Sequence, residues 1–467
     1  MNLKYFILIL IPIVFSFFAC HTSKSAVKKS DTTFKKTAPE WSKDAVIYEV
    51  NIRQFSKEGT FNAFRKDIPR LKELGVDILW LMPIYPISKE KRKGSLGSPY
   101  AAASYVKVNP DYGTIDDLKA IVKDAHNLGM KVILDWVPNH TGWDHEWIKK
   151  HPNWYMMRND TIAHAHDPQG NPTDWYDVAD LNYDNQDMRN EMLKSLEFWL
   201  KEADIDGYRF DVAGFVPKDF WWQVRPRLQA IKPVFVLNEW EDEIDHFNSV
   251  AECNYGWKFH FLCADIYKKA KKANDIWAYY EADKYKIPTQ AYHMLFTSNH
   301  DENSWNGTQI EKFGDGADAF AVLCYTFDGI PLIYNGQESN INKRLAFFEK
   351  DEINWGNYSK KVFYQTLNKL KHKNPALWNG LDGGSVEKII TRNENVIAYK
   401  RVKKDNVVIT IINLSDAPQK ISLSDIDMVG EFKNLFDRKN ESFENKSLVT
   451  VLNPWAYKVY FKGDLAK

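Results

Sequence analysis

Short apolar runs alternating with amphipathic segments are the feature of this chain that most narrows its fold. "VIYEVNI" at 46–52 reads as a strand, and "TFNAFRKDIPRLKELG" after it carries Phe61, Phe64, Ile68, Leu71 and Leu74 at helical spacing, with Gly75 as a stop. "VDILWLMP" from Val76, a helix from Thr114 to Gly129 and "KVILDWVPNH" from Lys131 repeat the unit. Further strands are read in "DGYRFDV", "VFVLNEW", a weaker one near "YGWKFHF", "HMLFTSNHD" and "GIPLIYNGQE", which brings the count to eight. Parallel strands covered by helices follow from that alternation, and eight of them fit a closed α/β barrel, (β/α)8, better than an open doubly wound sheet.

Two stretches break the rhythm. Residues 143–182 are rich in Trp, His, Asp and Pro without clear periodicity, and read as a small excursion after the third strand. After about Leu377 the pattern becomes short alternating runs, "NVIAYKRV", "NVVITIINLS" and "AYKVYFKG", typical of an antiparallel β-sandwich. A barrel over 44–376 and a second domain over 377–467 account for most of the 467 residues.

The N-terminus carries Lys4 before an apolar run from Tyr5 to Phe18, too short for a membrane span and suited to a signal peptide over 1–19. Ala19-Cys20 resembles the end of a bacterial lipoprotein signal, although Phe17 stands where a Leu-like residue is usual. The expectation is an exported bacterial protein held on a membrane by lipid at Cys20, on the periplasmic or outer face; a cleaved signal with an incidental Cys is the other reading. Residues 20–43, rich in Ser, Thr and Lys, read as a tether. Cys253, Cys263 and Cys324 lie in apolar surroundings and read as inert core thiols. Lys plus Arg and Asp plus Glu both count 62, so nothing points to a nucleic-acid partner. The sequence does not speak to oligomeric state.

In a barrel the reactive groups come from the C-terminal ends of different strands. Those ends here supply Asp135, Asn139 and His140 after the third strand, Arg209 and Asp211 on the fourth, Glu239 on the fifth, and Asn299, His300 and Asp301 on the seventh. Arg209 and Asp211, two residues apart, point the same way, and a buried ion pair there costs desolvation that a purely structural role repays poorly. Three carboxylates around one pocket suit acid–base and nucleophilic work on a glycosidic bond: one protonated by burial and repulsion, one ionised beside the guanidinium.

"DWVPNHT", "GYRFDVAGF", "VLNEW" and "FTSNHD", in that order, resemble the four signature regions of the α-amylase family, glycoside hydrolase family 13. "VADLN" at 178–182 is similar to its short fifth region and "GIPLIYNGQE" to its eighth-strand motif. The resemblance implies a small domain B after the third strand and a C-terminal β-sandwich. It implies Asp211 as nucleophile, Glu239 as general acid/base and Asp301 as transition-state stabiliser. Arg209, His140 and His300 would hold the sugar at the cleavage point, Tyr100 would stack on it, and Asp135 would support. The implied reaction is retaining double displacement on α-1,4-linked glucans or maltooligosaccharides, by an enzyme of α-amylase, neopullulanase or cyclomaltodextrinase type.

No His-x-His or His-Glu-x-x-His spacing points to zinc or iron. Asn139 and Asp180 fall where many α-amylases bind a structural calcium, but Phe215 stands where those often have His, and "IRQFSKEGTF" lacks an Asp/Asn-rich run. No cofactor is expected, and a structural calcium is the less favoured reading. "DVAGF" departs from the Lys-His pair common after the nucleophile, Asn238 replaces a frequent Gly, and Ala101 follows Tyr100 where exo-acting glucosidases commonly carry Asp, which argues against single-glucose release. Two other readings stay open: a transglycosylase of the same fold, and a non-catalytic glucan-binding lipoprotein.

Overall fold

The computed structural model describes residues 36–424, 429–443, 447–463 and 465. The signal run and Cys20 lie outside the described residues. Eight parallel strands close a barrel in chain order: β1 (Ile47–Val50), β2 (Ile78–Leu81), β3 (Lys131–Trp136), β4 (Gly207–Phe210), β5 (Phe235–Asn238), β6 (Cys253–Tyr255), β7 (Tyr292–Leu295) and β8 (Ile330–Tyr334), which pairs back onto β1.

Alternation along the strands sorts side chains between two cores. Ile47, Ile78, Trp80, Ile133, Leu237, Tyr255 and Met294 fill the barrel interior. Tyr48, Leu79, Leu81, Leu134, Trp136, Tyr208 and Val236 face outward into the helical layer. Position 207 requires glycine, because a Cβ there would collide with the backbone of Phe235 on the neighbouring strand. Cys253, Cys263 and Cys324 are free and buried.

Three expectations need correcting in detail. The sixth strand is Cys253–Tyr255, and most of "YGWKFHF" belongs to the helix Trp257–Tyr267. Phe259, Cys263 and Ile266 on that helix are buried at helical spacing, so the apolar run serves a helix face and not a strand. The first helical segment is broken into Phe61–Arg65 and Ile68–Leu74, with proline opening the second piece. Finally, the end of the stretch expected to be a tether packs on the barrel: Arg225 Nη2 donates to the Thr37 carbonyl at 2.7 Å, and the Trp41 ring lies 5.9 Å from that of Phe235.

Between β3 and the helix Gln186–Glu202 the chain forms two small antiparallel ladders, His140–Gly142 with Val178–Asp180 and Met157–Arg158 with Thr161–Ile162. The first ladder places His140 and Val178 on the wall of one pocket. Beyond the helix Lys361–Lys373, β9 (Val386–Lys388), β10 (Val396–Lys403), β11 (Asn406–Asn413), β12 (Gln419–Ser424), β13 (Gly430–Asn434), β14 (Asn440–Phe443), β15 (Ser447–Leu452) and β16 (Tyr457–Lys462) form a C-terminal antiparallel domain. Its sheet runs β9-β10-β11-β16-β13-β14, and the pair β12-β15 packs Ile421, Leu423 and Leu452 against Ile409, Ile411 and Phe432 of that sheet.

Candidate active site

Arg209 sits at the centre of the site and is fully buried. Its Nη1 donates to Asp135 Oδ1 at 2.8 Å and to Asp211 Oδ1 at 2.7 Å. Nη2 lies 2.8 Å from Glu239 Oε2, an ion pair without hydrogen-bond alignment. Nε donates to the Tyr255 hydroxyl at 3.2 Å, and the guanidinium carbon lies 5.3 Å from the Trp80 ring centroid. The arginine therefore belongs to three carboxylates from three strand ends and is not dedicated to Asp211. Burial pushes the Asp211 carboxyl well above the usual carboxylate range against the pull of Arg209, and Glu239 and Asp135 add to the rise.

Asp211 extends the β4 ladder by donating its N–H to the Trp136 carbonyl at 2.9 Å. The chain then turns through Val212 at φ 35°, a left-handed conformation that a β-branched residue rarely adopts. That turn aims the Val212 N–H at Glu239 Oε2, 2.8 Å away. Strained backbone here positions the carboxylate of β5 beside that of β4.

On the opposite wall, His300 Nε2 lies 2.8 Å from the Tyr100 hydroxyl and 3.3 Å from Asp301 Oδ2. The Tyr100 hydroxyl also donates to Asp135 Oδ2 at 3.0 Å, and its ring stacks on His300 at 5.4 Å and 17°. Tyr100, His140, Asp211, Glu239, His300 and Asp301 line a single pocket of about 460 Å³, with Arg209 and Asp135 bonded directly behind it. The two histidines are in opposite states. Burial drops His140 to about 3, leaving a neutral ring. Burial also disfavours charge on His300, but Asp301 and Glu49 outweigh it and hold the imidazolium to about 9.

Glu49 belongs to the bonded network of the site and was missed by the strand-end reading. It is fully buried on β1, and His300 Nδ1 donates to its Oε1 at 2.5 Å. The signal was present: position 49 has the inward parity of Ile47, so a charged residue there enters the barrel. Glu49→Gln is expected to lower the pH at which the His300 imidazolium loses its proton, because one of the two charges holding it protonated disappears while a hydrogen-bonding side chain remains. NMR titration of the His300 ring to about pH 10 checks this; an unmoved titration would make Glu49 merely structural. Also unforeseen were Trp175, Trp305 and Phe347, which line the same pocket. Their signal is tertiary: Trp175 and Phe347 lie on loops, and Trp305 on the single π-helical turn Glu302–Asn306, none of which has a period to read.

Asp180 is pushed up to about 7 by burial, and the Asn139 carbonyl accepts the Leu181 N–H at 3.1 Å. Phe215 stacks on Trp175 at 5.6 Å and 22°. Among the described residues no three His, Cys, Asp or Glu side chains converge as a metal site.

A closed parallel barrel with three carboxylates and a shared arginine at the C-terminal mouth defines a glycoside hydrolase of the α-glucan-acting class. The model of the alpha amylase catalytic domain matches residues 31–396, and the chain belongs to the α-amylase family. It is 25% identical to alpha-amylase 3 of Dictyoglomus thermophilum over 488 aligned positions, covering 89% of this chain and 93% of that protein. It is 26% identical to alpha-amylase MalA of Haloarcula japonica, covering 83% of this chain but only 58% of that longer protein. Among solved structures, the noncanonic maltogenic alpha-amylase AmyB of Thermotoga neapolitana superposes with a TM-score of 0.79 at 27% identity, over 90% of this chain and 99% of that one. The fold expected from the sequence, a (β/α)8 barrel with a C-terminal antiparallel β domain, is the fold observed.

Proposed function

We propose that the protein is an exported hydrolase that cleaves α-1,4 bonds of maltooligosaccharides by retaining double displacement. One observation carries the mechanism: Asp211 and Glu239 contact adjacent nitrogens of a single guanidinium, at 2.7 and 2.8 Å. Two carboxylates sharing one planar cation favour the close spacing of retaining glycosidases, about 5–5.5 Å, over the wider gap that inverting enzymes keep for a water. Asp211 attacks the anomeric carbon, and the bond to the leaving oxygen breaks as Glu239 delivers its proton. Glu239 then takes a proton from water, whose oxygen displaces Asp211 and restores the original configuration. Asp301 and the His300 imidazolium face the positive charge and the hydroxyls of the sugar in between.

Short malto-oligosaccharides are the favoured substrates, in keeping with a cyclomaltodextrinase of Thermoanaerobacter pseudethanolicus and the maltogenic AmyB among the proteins this chain is similar to. We also read Cys20 as a lipidated anchor, which mass spectrometry of the mature N-terminus checks. The central test is product analysis on maltoheptaose with wild type and Asp211→Asn. Reducing sugar of retained α configuration, lost in the variant, is expected. Products longer than the substrate would point to transfer, and an absence of turnover in the wild type to a binding protein.

A further inference from the structure

The segment after β2 does not lie flat on the rim. Ile87 and Ala102 form an antiparallel bridge, Ser88 N–H donates to the Ala101 carbonyl at 2.8 Å, and residues 89–97 rise from that base as a loop. Both flanks of the loop are anchored to other elements. On the side of the β3 excursion, Lys89 N–H donates to Asp144 Oδ2 at 2.9 Å, and Lys93 Nζ donates to the Asp174 carbonyl at 2.7 Å. Lys93 also lies 3.5 Å from Asp177 Oδ1 and covers the Tyr176 ring at 4.5 Å. On the side of the β8 loop, Ser95 N–H donates to Glu349 Oε1 at 2.7 Å and Leu96 N–H to the Phe348 carbonyl at 3.2 Å. Arg53 ties the two together beneath, donating to the Gly97 carbonyl at 3.0 Å and the Phe347 carbonyl at 2.5 Å. Gly94, at φ 65°, lies so close to Phe348 that any Cβ would collide with it.

The loop is thus a strap across one side of the barrel mouth, and Lys93 and Ser98 line the same pocket as Asp211 and Glu239. The barrel order gives its orientation. The strap arches over β1 and β2 between the loops of β3 and β8, whereas Glu239 ends β5, the strand diametrically opposite β1. Glu239 protonates the leaving oxygen, so the leaving part of the glucan lies on its side. The retained part, whose anomeric carbon Asp211 attacks, extends past Tyr100 toward the strap.

We propose that this strap closes the retained-sugar end of the cleft, so that the enzyme accepts only the non-reducing end of a glucan and releases short oligosaccharides from it. This rests on the hydrolase reading above and decides its mode of action. A steric wall gives such selection without any new attraction, by denying room to a chain that continues.

The test compares maltoheptaose with a derivative blocked by a cyclic acetal at its non-reducing terminus, products being separated by chromatography. Wild type is expected to cleave the free substrate and to cut the blocked one more slowly by on the order of 100-fold. Two loosened variants, Lys93→Ala and the pair Ser95→Ala with Glu349→Ala, are expected to gain activity on the blocked substrate, with thermal melting confirming that they fold. Equal cleavage of both substrates by the wild type would overturn the strap while leaving the hydrolase intact. Resistance that persists in folded variants would also overturn it, since the closure would then lie elsewhere. No cleavage of either substrate would instead remove the hydrolase reading itself.

Discussion

Glu239→Gln is expected to lower kcat on maltooligosaccharides by ~10²–10⁴-fold, while substrates with an activated leaving group such as a glycosyl fluoride lose far less. The amide is nearly isosteric and still accepts the Val212 N–H that holds the side chain at 2.8 Å. What it cannot do is give a proton to a glucosyl oxygen, a poor leaving group, whereas fluoride departs without one. Steady-state kinetics on both substrate types check this. Equal losses on the two would take the acid role away from Glu239, because a merely structural defect does not distinguish leaving groups.

The second large effect concerns Arg209. Arg209→Met removes the cation that contacts Asp135, Asp211 and Glu239, and leaves three crowded, largely buried carboxylates without it. Breaking a buried charge cluster by removing one partner costs about 3–5 kcal/mol, which urea denaturation reads directly. The sign of the accompanying pH effect follows from its causes. Burial already raises the Asp211 carboxyl and Arg209 opposes that rise, so without the arginine the carboxyl stays protonated to higher pH. The acid limb of kcat/KM in any folded variant therefore moves upward. Arg209→Lys keeps a charge but only a single point of it, and is expected to recover stability more than activity, since one ammonium cannot face three carboxylates in fixed directions.

These two variants separate what Arg209 and Glu239 do, and they show why the site tolerates so much buried charge. Asp135, Tyr100, His300 and Glu49 continue outward from Arg209 through bonds of 2.8, 3.0, 2.8 and 2.5 Å. Donors alternate with acceptors along that path, so removing any member leaves a neighbour without its partner. Tyr100 is in this sense the link between the arginine and histidine halves of the site.

The sequence by itself determined the barrel and the inward-facing groups, because both depend on local periodicity. A strand alternates faces whatever surrounds it, so parity and strand order alone place Arg209, Asp211 and Asp135 at the pocket, and Glu49 is legible by the same rule. The sixth strand was blurred because Tyr255 is followed at once by an apolar helix, and one short run cannot declare two periods. Only the tertiary structure decided how Arg209 is divided among its carboxylates, that Val212 turns left-handed to meet Glu239, and that residues 89–97 form a strap. Each of these depends on contacts between segments far apart in the chain, such as Ser95 with Glu349. No repeat or spacing along a sequence encodes which distant carbonyl or carboxylate will stand opposite a loop; that follows from the closure of the barrel, which brings the ends of β2, β3 and β8 onto one rim.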